Sequence, residues 1–107
     1  MKSITTVLAL LAFVGGSVVA LATEHSIMQK GKVFSEAEVT IKKGDSLLFV
    51  NDDAIAHNIL STTPGNEFNL GSQAPGTSSP VAFNKAGEVA VLCAIHPRMK
   101  LTVNVTE

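Results

Sequence analysis

Residues 87–106 read GEVAVLCAIHPRMKLTVNVT. On the left flank Val89, Val91 and Cys93 alternate with Glu88, Ala90 and Leu92. On the right Leu101, Val103 and Val105 alternate with Thr102, Asn104 and Thr106. Such alternation marks a half-buried strand, because successive side chains leave a strand on opposite faces. The stretch therefore predicts two strands joined by a loop, residues 94–99, with Cys93 facing inward where the first strand ends. His96 and Met99 fall in that loop, so a thiol, an imidazole and a thioether recur every third residue. Cys93 is the only cysteine of the chain, and His96 and Met99 each come from a set of three.

The same period continues upstream. In EVTIKKGDSLLFVND, residues 38–52, Val39 and Ile41 share a face opposite Glu38, Thr40 and Lys42. Lys43, Gly44 and Asp45 make a turn, and residues 47–50 are apolar on both sides, as in a central strand. The next long segment, STTPGNEFNLGSQAPGTSSP at 61–80, carries three of the four prolines and three of the eight glycines. It predicts loop, with a short strand near Phe68. Phe34, Phe49, Phe68 and Phe83 are the aromatic candidates for the core, and Met28 for packing in the first strand. No helical period, repeat or low-complexity tract interrupts this pattern. About six to eight short strands separated by turns predict an all-β sandwich of two sheets.

Composition bounds what such a sandwich does. At 107 residues the chain has room for one domain. Lys2 followed by an apolar stretch and the small residues Ala20 and Ala22 reads as an export signal over residues 1–22, leaving a domain at 23–107. The apolar run is short for a bilayer span and has no counterpart downstream, so a membrane-resident protein is not expected. The remaining domain has seven basic against nine acidic residues with no block of either sign. No nucleic-acid partner is implied. A single cysteine cannot make an internal disulfide, yet a free thiol in an oxidising compartment invites oxidation. Burial or a metal must protect Cys93.

A metal needs one more donor, and NDDAIAHN at 51–58 supplies His57, shortly after the end of the central strand. A sandwich gathers its strand-connecting loops at its poles, which can bring His57 to the Cys93 loop. Two imidazoles and a thiolate in one plane, with a weak axial thioether, form the donor set of a blue-copper site. Soft sulfur donors suit Cu(I), imidazole suits both oxidation states, and a rigid compromise geometry lets an electron come and go with little rearrangement. His25 offers a separate option: cleavage after Ala22 would make it the third residue, able to chelate Cu(II) together with a free amino terminus.

With these residues in place, the chain resembles the small cupredoxins, near plastocyanin and amicyanin. The likeness runs from about residue 33 to 105. It rests on VTIKKGDSLLFVND, on HN at His57 and Asn58, on FNLG from Phe68 to Gly71, and on the Cys-x-x-His-x-x-Met loop with Pro97 after the histidine. The resemblance implies a Greek-key β-sandwich and a single type 1 copper ion held by His57, Cys93, His96 and Met99. It also implies docking of transient redox partners at an apolar edge around His96, where Ile95 and Pro97 lie. Two positions depart from the family pattern. Ala94 replaces a Thr or Ser whose hydroxyl, in relatives, ties the loop to the asparagine after the first histidine, so the clamp at Asn58 is expected either to come from backbone groups or to be looser. Ile95 replaces a proline and restores an amide that could donate to the Cys93 sulfur.

These features favour a soluble, monomeric, periplasmic one-electron carrier over a copper-delivery protein, which would be expected to carry further Met and His clusters. A thiol enzyme is disfavoured, since an inward cysteine in a small sandwich offers no accessible nucleophile.

Overall fold

The computed structural model describes residues 21–107, so the expected export signal at 1–22 lies almost wholly outside the described residues. Among the described residues nine strands follow one another: β1 (Glu24–Lys30), β2 (Val33–Phe34), β3 (Glu38–Lys42), β4 (Ser46–Asn51), β5 (Ile59–Ser61), β6 (Phe68–Asn69), β7 (Ser78–Ala82), β8 (Gly87–Cys93) and β9 (His96–Thr106). Seven have three or more residues, as expected, and the two-residue β2 and β6 bring the total above eight. They form a four-stranded sheet in the order β2-β1-β4-β7 and a five-stranded sheet in the order β3-β9-β8-β5-β6. The pairings β1/β4 and β3/β9 are parallel and the others antiparallel.

The alternation read from the sequence places the core. From β4 come Leu47 and Phe49, from β8 Val89, Val91 and Cys93, and from β9 Met99, Leu101, Val103 and Val105, all buried. Phe34, Phe49, Phe68 and Phe83 make a chain of ring contacts through the space between the sheets, with successive centroids 6.3, 5.9 and 6.0 Å apart. Phe68, on the short β6, is only partly buried. Burying one such aromatic side chain is worth about 1.5–3 kcal/mol, so the four rings are a leading source of cohesion in a fold without a disulfide.

Two features differ from the sequence expectation. Met28 lies on the outer face of β1 and is exposed, because Ile27 and Gln29 take the inward positions on either side of it. The connection after Cys93 is shorter than residues 94–99. It is a turn of Ala94 and Ile95, and β9 already begins at His96, which pairs with Cys93. The register shifts between Leu92, which faces Lys100, and Cys93, which faces His96, so residues 97–99 bulge out of the β8/β9 ladder just before its tip.

Among the described residues no helix covers the edges of the first sheet, which are protected in other ways. Strand β7 borders the first sheet and carries Pro80, which has no amide to offer a further strand. At the other border β1 and β2 are joined by Gly31 and Lys32, with φ of 66° and 61°. Two consecutive left-handed residues make a type I′ turn, whose twist matches that of the strands it joins. Lys32 tolerates this poorly by itself. Its amide and that of Gly31 donate to the Asp53 carboxylate at 3.0 and 3.1 Å, which fixes the turn against the loop after β4.

Candidate metal centre

Three of the four expected residues converge at one pole of the sandwich. Nδ1 of His57 lies 3.1 Å from Nδ1 of His96, and the Cys93 sulfur lies 3.8 Å from the first and 3.6 Å from the second. His57 and Cys93 are buried, and His96 is half-buried. Met99 is fully buried three residues beyond His96, at the head of the inward row continued by Leu101, Val103 and Val105.

Local structure explains each placement. Cys93 is the last residue of β8 and lies opposite Ile59 of β5, so its sulfur points between the sheets. His57 precedes β5 and forms an isolated bridge with Gln73, exchanging two backbone hydrogen bonds of 3.1 and 2.7 Å. The loop before His57 is shaped by Asn51, fully buried at the end of β4. Its side-chain amide donates to the carbonyls of Ile55 and Gln73, each at 2.9 Å, and its oxygen accepts from the Asp53 amide at 3.0 Å. Gln73 is in turn anchored by donation to the Phe49 carbonyl at 2.8 Å.

Of the two alternatives, a backbone clamp or a looser one, the structure has the first: the two loops are laced together by backbone groups. The Ala94 amide donates to the Asn58 carbonyl at 2.8 Å, and the Asn58 amide donates to the Cys93 sulfur at 3.3 Å. The expectation that Ile95 would supply the amide facing the sulfur is corrected here. Among the described residues the amide that donates to the sulfur is that of Asn58, while Ile95 sits in the two-residue turn with 57% of its surface exposed. Hydrogen bonding to a thiolate stabilises its charge.

Asp53 is the functional residue that reading the sequence missed. Its Oδ2 lies 2.8 Å from Nε2 of the fully buried His57. An ionised carboxylate only accepts, so the imidazole proton sits on Nε2 and the Nδ1 lone pair faces the other donors. The Lys32 amide foremost, then the His57 ring N–H and the Gly31 amide, hold the Asp53 carboxyl well below the usual carboxylate range against an opposing contribution from burial. The visible signal is an acidic residue four positions before the histidine.

The donors fit a single metal ion. Nitrogen at about 2.0 Å and thiolate sulfur at about 2.3 Å from a shared ion stand roughly 3–4 Å from one another, the spacing found here. Two imidazoles and a thiolate, with a thioether nearby, are soft enough for Cu(I) and select copper over oxygen-seeking ions. Around the half-buried His96 the surface is apolar: Val33 and Ile95, 58% and 57% exposed, adjoin Pro97, with Lys32 and Arg98 at the margin.

His25 lies elsewhere. It pairs with Leu47 at the start of β4, whereas His57 lies beyond the end of that strand, and its Nε2 approaches Asp45 Oδ2 at 3.2 Å. The Thr23 amide also engages Asp45, at 2.9 Å. The amides of Thr23 and Lys42, followed by His25, hold the Asp45 carboxyl below its usual range despite the opposing effect of burial. A depressed folded value means that Asp45 contributes stability above its unfolded pKa of about 3.9, and that this is lost as pH falls through the folded value. Asp45→Asn should therefore lower the thermal midpoint at neutral pH, with the difference from the parent closing below about pH 4. Melting curves across that range check it.

A family model described as copper binding proteins, plastocyanin/azurin family, matches residues 21–106. A methylamine utilization protein, MauL, of Methylorubrum extorquens is 29% identical over 106 residues, covering 98% of this chain and 93% of its own. Among solved structures, the copper-containing nitrite reductase of Thermus scotoductus superposes with a TM-score of 0.72 at 24% identity over 87% of this chain. That match spans only 24% of the reductase's length. A reduced Cu(I) form of an amicyanin variant superposes with a TM-score of 0.70 at 21% identity, covering 82% of this chain and 85% of the other.

Proposed function

The chain belongs to the plastocyanin/azurin family of copper binding proteins, and from that premise we propose that it is a one-electron carrier whose copper ligands are His57, Cys93, His96 and Met99. The observation that carries the reading is the meeting of two imidazole Nδ1 atoms and one cysteine sulfur within 4.8 Å of one another. Copper held there supplies a one-electron Cu(II)/Cu(I) couple.

Everything else is done by the chain. Buried His57 and Cys93 come from separate segments joined by the Asn58–Ala94 hydrogen bond, so the donors keep their positions when the charge at the centre changes. The Asn58 amide supports a thiolate at Cys93. Met99, buried three residues beyond His96, would supply the weak thioether donor. Half-buried His96 connects this interior to the surface, where Val33, Ile95 and Pro97 give a redox partner a small apolar landing place. Small contact areas suit brief encounters with fast release. Four protein donors would leave the copper no open position for a substrate, which favours electron transfer over catalysis.

The site of action we propose is the periplasm, on the strength of the export signal read at residues 1–22. Among the described residues no helix is long and apolar enough to cross a membrane. The likeness to a methylamine utilization protein links the proposed carrier to the use of methylamine.

Voltammetry of the copper-loaded chain tests the proposal. A reversible one-electron wave, with one copper retained per chain through repeated cycles, is expected. Release of the ion on reduction would instead identify a delivery protein.

A further inference from the structure

Resting on the copper-site reading above, we infer that Asp53 is a positioning residue whose carboxylate, bonded to the outer nitrogen of His57, biases the centre toward Cu(II) and sets its reduction potential low. The geometry is specific. Oδ2 lies 2.8 Å from Nε2 of an imidazole that is wholly shielded from solvent, while the carboxylate itself is only 15% exposed. Water therefore screens the pair weakly.

A carboxylate behind a ligating histidine has two effects. It locks the ring with Nε2 protonated and Nδ1 free, and it makes Nδ1 a stronger donor by drawing on the Nε2 proton. A stronger, partly anionic donor favours the doubly charged ion over the singly charged one. A neutral acceptor would orient the ring equally well without that bias. The carboxylate is held in its charged form by two further donors, the amides of Gly31 and Lys32 at 3.1 and 3.0 Å. These belong to the left-handed turn between β1 and β2, so the turn orients Asp53 and Asp53 orients His57. His96, at the surface, has no such carboxylate among its described partners, which makes the two imidazoles unequal.

Asp53→Asn separates the charge from the shape. Its amide oxygen can still accept from His57 and Lys32, while the bond from Gly31 is lost. The copper-loaded variant should stay blue, and its preference for Cu(II) over Cu(I) should fall about tenfold, an upward shift of about 59 mV for a one-electron couple. In the metal-free full chain at pH 8, proton–nitrogen NMR should find His57 protonated on Nε2, with that proton moving upfield in the variant as a charged acceptor becomes neutral. A blue variant whose potential is unchanged or lower overturns the inference, even if its melting temperature falls, since that would leave Asp53 a role in the turn alone. So does a metal-free parent in which Nε2 of His57 carries no proton. A parent that shows no blue copper signal refutes the carrier reading instead, and the NMR measurement still decides whether Asp53 holds His57.

Discussion

Cys93→Ser should abolish the visible colour of the copper-loaded protein and, with it, reversible electron transfer. The colour of a blue-copper site comes from charge transfer between thiolate sulfur and Cu(II), and Cys93 is the chain's only thiol. A hydroxyl is a hard, poorly acidic donor that cannot take over that role. Its smaller oxygen also lies farther from both imidazoles than the sulfur, which stands 3.6 and 3.8 Å from them. The fold should survive. Serine is slightly smaller than cysteine, the Asn58 amide that meets the sulfur at 3.3 Å can still donate to an oxygen, and no disulfide is at stake. The expected outcome is a folded, colourless protein whose residual copper gives a paramagnetic-resonance spectrum with ordinary, wide hyperfine splitting. Retention of an intense visible band would place the chromophore on another residue.

The second large effect concerns the core. Phe49 is completely buried on the central strand β4 and touches two other rings, Phe34 on one side and Phe68 on the other. Phe49→Ala removes the middle of that chain of aromatics and leaves a cavity between two hydrogen-bonded sheets that cannot collapse freely. A loss of about 3–5 kcal/mol is expected. Against a total stability of about 5–15 kcal/mol for a typical domain, this leaves the metal-free protein marginal. Urea unfolding of the metal-free chain should show the lowered midpoint with an unchanged slope. Copper binds the native state and should restore part of the loss by mass action. A change below about 1 kcal/mol would mean that the neighbouring rings repack into the space.

The sequence carried much of this architecture because period two is a strong signal wherever one face of a strand is buried. Val89, Val91 and Cys93, and likewise Leu101, Val103 and Val105, face inward as their alternation predicted. The donor set was legible because Cys93, His96 and Met99 are rare residue types at close spacing. His57 was legible because it follows a recognisable central strand. Other features left no such trace. Met28 faces solvent because Ile27 and Gln29 fill the inward positions of β1, and alternation alone does not say which face of a first strand is covered. The short turn at Ala94 and Ile95 depends on a register shift at Cys93 that periodicity does not record. The sulfur's hydrogen-bond donor is likewise unmarked in the local sequence, since it comes from Asn58, beside the neighbouring strand, and not from the adjacent turn at Ile95. Asp53 was passed over because an acidic residue in a loop normally faces water, and its three partners, His57, Gly31 and Lys32, come together only in the folded chain.

Titration of the metal-free chain with Cu(II), followed by visible absorption and paramagnetic resonance, tests the central claim most directly. An intense blue to green colour saturating at one copper per chain is expected, with the narrow hyperfine splitting of a thiolate-bound ion. A colourless product with wide splitting would contradict it.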